Sequence, residues 1–172
     1  MFFPAGLTFF EGDCLDSHNR FRSLHGSPAL IWNEAIAAGA RNWSEFLSQN
    51  QGLIHDTSHN LGESLDSVIF DAAQPPICNN ASQSSCFRCS QIVEAWYNES
   101  SNYNFTQGVP IDPNKKYLRF TQLVWRYSTD LGVGVASGRN RHYIVARYSP
   151  KGNVGDRVDF IRSVPILLPT GL

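Results

Sequence analysis

Residues 119–127, RFTQLVWRY, alternate: Phe120, Gln122, Val124 and Arg126 fall on one side of an extended chain, Thr121, Leu123, Trp125 and Tyr127 on the other. Both sides carry bulk, which predicts a central strand covered on each face. Two further segments, LGVGVAS (131–137) and HYIVARY (142–148), alternate in the same way, and 138–141 reads as the turn joining them. Helical spacing dominates elsewhere. Leu15, His18, Phe21 and Arg22 share a face within 13–25, and Gly26 and Pro28 end that run. After a short extended connector at 30–32, Asn33 caps a helix to about residue 49; Ile36, Ala40, Trp43, Phe46 and Leu47 form its apolar stripe, with Glu34, Arg41 and Glu45 outward. Residues 61–70 suggest a short helix. Residues 87–100 form a central helix with Ile92, Val93, Trp96 and Tyr97 on its apolar side.

Between these elements lie polar stretches: 52–60, rich in His, Asp and Ser, then 71–86 with its Pro75-Pro76 pair, then 102–116 punctuated by Pro110 and Pro113. The tail from Ser163, SVPILLPTGL, is too proline-rich for a regular element and is expected to wrap the outside. Several helices with three mainly antiparallel strands predict an α+β fold, a three-layer α-β-α sandwich built as one domain spanning 1–172.

Composition narrows the function classes. Of 172 residues, 42% are hydrophobic and 12% aromatic, enough for a real core. A net charge of -1 supplies no basic excess to displace phosphate counterions, which argues against nucleic acid and against anionic membranes. No apolar run approaches the roughly 18 residues that span a bilayer. The opening MFFPAGLTFFEG is short, lacks a basic start and is broken by Pro4 and Gly6, so it reads as the front of a mature chain whose export signal is not present. Four cysteines, Cys14, Cys78, Cys86 and Cys89, suggest two disulfides and an oxidising, extracellular setting. Three pairings are open. Cys78 with Cys86 and Cys14 with Cys89 is favoured, because the second would tie the first and central helices together. Sequons at Asn42, Asn80, Asn98 and Asn104 agree with a secreted glycoprotein.

Three phrases in order resemble one family. RFTQLVWRY, YIVARYSPKGN (143–153) and WYNESSNYNF (96–105) are similar to the signatures of the CAP superfamily, the cysteine-rich secretory, venom-allergen-like and plant pathogenesis-related proteins. The nearest resemblance is to secreted venom-allergen-like proteins of parasitic worms, with features of the small Golgi-associated members. The resemblance implies an α-β-α sandwich and a central cleft where two His and two Glu can take a divalent cation. His55, Glu63 and Glu99 match three of those positions; the second His is replaced by Arg119. Guanidinium only donates and stays charged, so Arg119 is expected to pair with Glu63 and Glu99 and to leave the cleft without a metal or other cofactor. His59 is a possible substitute ligand only if its segment were helical, and the segment reads as loop.

The family further implies capture of lipid, sterols through a loop region and fatty acids between the first and central helices. Leu15, Phe21, Val93, Trp96 and Tyr97 are the groove candidates, with simple core packing as the plain alternative. A secreted antigen or host-interaction protein acting through glycosylated loops is a second reading. A weak hydrolase using the His/Glu cleft is a third, but no Gly-x-Ser-x-Gly, His-Glu-x-x-His or phosphate loop is present, so no catalytic residue is assigned. Cys86-Phe-Arg-Cys89 has dithiol spacing, yet it follows a polar loop rather than a strand, which favours a structural staple.

Overall fold

Thr8 starts the first helix earlier than the apolar spacing predicts. In the computed structural model, which describes residues 3, 5–70 and 73–169, Thr8 and Glu11 form a capping box, and α1 runs Phe9–Leu24. A two-residue strand, β1 (Ile31–Trp32), leads to Asn33, whose side chain accepts from the Ile36 N–H and opens α2 (Glu34–Asn50). Next come β2 (Gly62–Ile69), α3 (Cys89–Tyr97) and a 3-10 turn Asn98–Asn102. A small ribbon of β3 (Tyr103–Asn104) and β4 (Val109–Pro110) crosses the 102–116 stretch. The chain closes with α4 (Leu118–Val124), β5 (Asp130–Gly138), β6 (Arg141–Ser149) and α5 (Arg157–Ser163).

The main sheet has the order β1-β5-β6-β2, with β1 parallel to β5 and the other pairs antiparallel. On β6, Tyr143 and Val145 join Ala40, Leu47 and Leu65 in the layer under α2. Ile144, Ala146 and Tyr148 point the other way, into the main core with Phe21, Trp96, Phe120 and Leu123. The doubly covered central strands are therefore β6 and β5, the latter putting Leu131 and Val133 into the main core and Gly132 and Gly134 under α2.

Three expected elements differ. Residues 119–127 are not a strand: the run is α4, in which Phe120, Thr121, Gln122, Leu123 and Val124 are all buried. When every successive residue is buried, neither period 2 nor period 3.6 is expressed, and a short buried helix reads as a two-faced strand. Residues 61–70 are not a helix. They form β2, paired along its whole length with β6 from Gly62↔Tyr148 to Ile69↔Arg141. Its helix-like spacing of Leu65, Val68 and Ile69 yields to tertiary pairing. The central helix is shorter than expected at both ends. On α2 the buried line is Ala37, Ala40, Ser44 and Leu47, while Phe46 is exposed. Small residues win that face because α2 lies directly on the glycines of β5. A Cβ on Gly132 would collide with the Ala37 backbone and one on Gly134 with the Ala40 and Arg41 backbone. The capping box of Asp156 and Asp159 opens α5, which the apolar pattern did not reveal, and the tail then runs along the surface with Leu168 N–H on the Leu24 carbonyl.

Both favoured disulfides are present, Cys14–Cys89 and Cys78–Cys86. The first ties α1 to the start of α3. The second closes a loop that is further knit by Cys78 N–H to Phe87 O and Phe87 N–H to Pro76 O. Arg22, with no exposed surface, donates to the carbonyls of Pro28, Leu123, Trp125 and Ser128 at 2.8–2.9 Å. Burial lowers its pKa to about 10, so it stays charged at neutral pH and bolts α1 to the α4–β5 link.

Candidate functional site

At the edge of the sheet, successive residues of β2 face opposite layers. Glu63 lies directly across from Arg147 of β6, whose guanidinium runs under Gly39 of α2. Asp66 faces the other way, towards α3 and α4, and accepts from the Trp96 indole N–H at 3.4 Å. Two ion-paired systems therefore stand back to back on one strand.

On the α3/α4 side, Arg119 extends from the first turn of α4. Its Nε donates to Glu99 Oε1 at 2.6 Å and its backbone N–H to Glu99 Oε2 at 3.1 Å, while Nη1 holds Asp66. On the α2 side, Arg147 Nε donates to Glu63 Oε2 at 3.0 Å and Nη2 to Asp56 Oδ2 at 2.7 Å. His55 Nδ1 and the Asp56 N–H both bond Glu63 Oε1, at 2.8 and 3.1 Å. His59 closes the cluster: Leu61 N–H donates to its Nδ1 at 3.1 Å, which leaves the proton of the neutral ring on Nε2, 3.5 Å from Glu63 and 3.7 Å from Asp56. Burial alone would raise the Asp56 pKa, but hydrogen bonds from Ser58 and Arg147 outweigh it and hold that carboxyl below its usual value.

His55, Glu63, Glu99 and Arg119 do line one hollow, of about 560 Å³, together with Ser64, Leu65 and a rim that includes Lys115 and Tyr117. The expected pairing of Arg119 is corrected in one partner. Glu99 is held, but the second carboxylate is Asp66, because Glu63 is already taken by Arg147 and His55 on the other face. Asp56, Asp66 and Arg147 were missed in the sequence. Arg147 carried a usable signal, a charge inside an otherwise apolar buried strand, which requires a partner. His59, set aside as loop, belongs to the site although its segment is not helical.

The slot expected between the first and central helices is filled. Val93 and Trp96 have no exposed surface, Phe21 and Leu15 are buried, and the Phe21 and Tyr97 rings stack at 4.0 Å. These residues serve as core because Cys14–Cys89 draws the two helices together. Open apolar space lies instead on either side of the stapled loop. One groove, of about 510 Å³, is walled by Phe9, Phe10, Ile77, Val133 and Val135, with Arg41 and Asn79 at its mouth. The other, of about 320 Å³, is walled by Val68, Phe70, Pro75, Phe87 and Ile92. Of the sequon asparagines, Asn42, Asn80 and Asn98 are exposed, whereas Asn104 is half-buried and accepts from the Thr106 and Gln107 N–H groups.

Relatives agree with the phrases read from the sequence. Venom allergen 5 2 of Polybia paulista is 28% identical over 165 residues, covering 81% of this chain and 73% of that protein. Golgi-associated plant pathogenesis-related protein 1 of Homo sapiens is 30% identical over 147 residues, covering 84% and 85%. The structure of Schistosoma mansoni venom allergen-like protein 4 superimposes with a TM-score of 0.60 at 20% identity, over 86% of this chain and 92% of that one. The model of the cysteine-rich secretory protein family matches residues 15–148, and the chain belongs to that family, the CAP proteins.

Proposed function

We propose that this chain is a secreted lipid-capturing CAP protein, taking a fatty acid or sterol into the groove beside the stapled loop and carrying out no catalysis. The observation that carries the reading is the groove of about 510 Å³ with apolar walls and a few polar groups at its mouth, the size and character of a small-molecule site. An acyl or sterol body would cover Phe10, Ile77, Val133 and Val135, and its polar head would meet Asn79 and the Arg41 guanidinium, which is paired with Glu11 of the same groove and with Glu34. Burial of that body at about 25 cal/mol per Å² supplies the affinity. Two disulfides and three exposed sequons support export.

The cleft is proposed to be a structural hub without a resident cation. In support, Arg119 and Arg147 occupy the carboxylates of Asp56, Glu63, Asp66 and Glu99, and a fixed guanidinium repels a second cation from the same space. Among the described residues no three His, Cys, Asp or Glu side chains are grouped to hold a metal ion. The same pairing leaves no carboxylate free to act as general base, and His55 hydrogen-bonds Glu63 rather than a nucleophile.

Titration with a fluorescent fatty acid tests the lipid reading. Saturable binding is expected, weakened at least about tenfold by Ile77→Arg, since a charged side chain in the apolar wall costs well over 1.4 kcal/mol. Absence of binding, or binding indifferent to both Ile77→Arg and Val135→Arg, contradicts it.

A further inference from the structure

His142 is buried in β6 behind both walls of the smaller groove, its ring 5.2 Å from Phe70 and 5.1 Å from Phe87. It makes three hydrogen bonds, two of them to Gln74 and Pro75 in the segment that leads into the stapled loop. Nε2 lies 2.8 Å from the Pro75 carbonyl, which can only accept, so Nε2 carries a proton. Nδ1 lies 2.8 Å from Gln74 Nε2 and 2.9 Å from Ser137 Oγ. The Gln74 amide cannot be turned round, because its nitrogen also donates to the Arg141 carbonyl at 2.7 Å. Gln74 therefore presents N–H to Nδ1, and the ring must be neutral to receive it.

A second proton on Nδ1 would set N–H against N–H inside an aromatic enclosure. The Ser137 hydroxyl can rotate to accept; the Gln74 amide cannot without abandoning Arg141. Apart from that hydroxyl, the groups around the ring among the described residues offer no compensating charge. β2 presents Val68 opposite it and β5 presents Ser137, the loop presents Gln74 and Pro75, and Phe87 closes the side. The neighbouring charge, Arg141, reaches the other way to Ser67 and the Tyr143 ring. Burial, opposed only in part by the bond to Pro75, lowers the His142 pKa from its usual value.

We propose that neutral His142 latches the stapled loop against the sheet, and that protonation of its Nδ1 releases residues 74–87 and opens both apolar grooves. The loop is the shared wall: Ile77, Cys78 and Asn79 line the larger groove, Pro75, Cys86 and Phe87 the smaller. Release is thus an acid-triggered unloading device. The unloading rests on the lipid-binding reading, while the latch stands on the hydrogen bonds alone. Because the closed form takes its extra proton later than a free imidazole does, closure is fully favoured above about pH 6.5 and is progressively lost as pH falls below it.

Hydrogen exchange followed by mass spectrometry, corrected for the intrinsic pH dependence, tests the latch on the intact protein at pH 7.5 and 5.5. Both values lie above the range in which His18 titrates, since burial lowers its pKa to about 4. Protection of 74–87 should fall about tenfold at pH 5.5, with the α2 peptides unchanged. In His142→Gln, whose amide can bridge Pro75 and Gln74 without titrating, the fall should vanish. In Gln74→Leu, which deletes the opposing donor, the loop should already exchange faster at pH 7.5 and respond less to acid. Unchanged protection in the wild type, or an equal fall in all three proteins, overturns the latch. A fluorescent fatty acid supplies the second readout: bound at pH 7.5 and shed at pH 5.5 by wild type but kept by His142→Gln. A loop that opens on schedule in a protein that takes up no probe at either pH supports the latch and contradicts the lipid reading.

Discussion

Arg119 decides what the cleft can do. A neutral imidazole would offer a lone pair where guanidinium offers only donors, and Glu99 and Glu63 are each paired with an arginine. Zinc titrated calorimetrically at pH 7.5 should give no one-to-one binding; a tight isotherm abolished by Glu63→Gln would contradict this. Glu99 and Arg119 were legible in the sequence through their place in the family phrases, His55 and Glu63 by resemblance to the family's cleft positions. Of their partners, only Glu99 for Arg119 was. Glu63 meets Arg147, 84 residues away, only because β2 pairs with β6 in the register that sets them opposite, and residue order does not announce register.

At the scale of elements, legibility followed how strongly one periodicity was expressed. Helix α2 has a cap and a one-sided stripe, and the β5–β6 hairpin has alternation broken by a two-residue turn, with Arg139 in the left-handed region at φ 49°. β2 and α4 exchanged identities because each is a short apolar run whose state is set by its neighbours. α5 hid because its apolar residues Val158 and Ile161 stay exposed, leaving only its capping box as a sign. The strongest tie between elements is Cys14–Cys89, which spans 75 residues of sequence. Replacing both cysteines by serine should cost roughly 4 kcal/mol by the loss of loop closure in the unfolded chain, read as a lower denaturation midpoint with a steeper slope, because the freed unfolded chain is less compact. Removal of Cys78–Cys86, which spans only 8, should cost less. Equal costs would show that unfolded-chain entropy is not the main contribution.

For the whole molecule, the fold separates a polar hub from two apolar grooves. The sheet edge holds opposed ion pairs that tie β2 to α4 and the 3-10 turn on one face and to β6 and Asp56 on the other, while the loop stapled by Cys78–Cys86 stands between two grooves. Sequence patterns identified the layers and the loop but placed the apolar space between α1 and α3, because side chains lining a groove and side chains filling a core have the same chemistry. Direct chemical analysis of what the molecule carries settles the central claim: mass spectrometry of organic extracts from protein purified out of a eukaryotic secretory host. A fatty acid or sterol at close to one per chain, depleted in Ile77→Arg, is the predicted result. Extracts no richer in lipid than those of an unrelated secreted glycoprotein, from a protein that also takes up no added fatty acid, would contradict it.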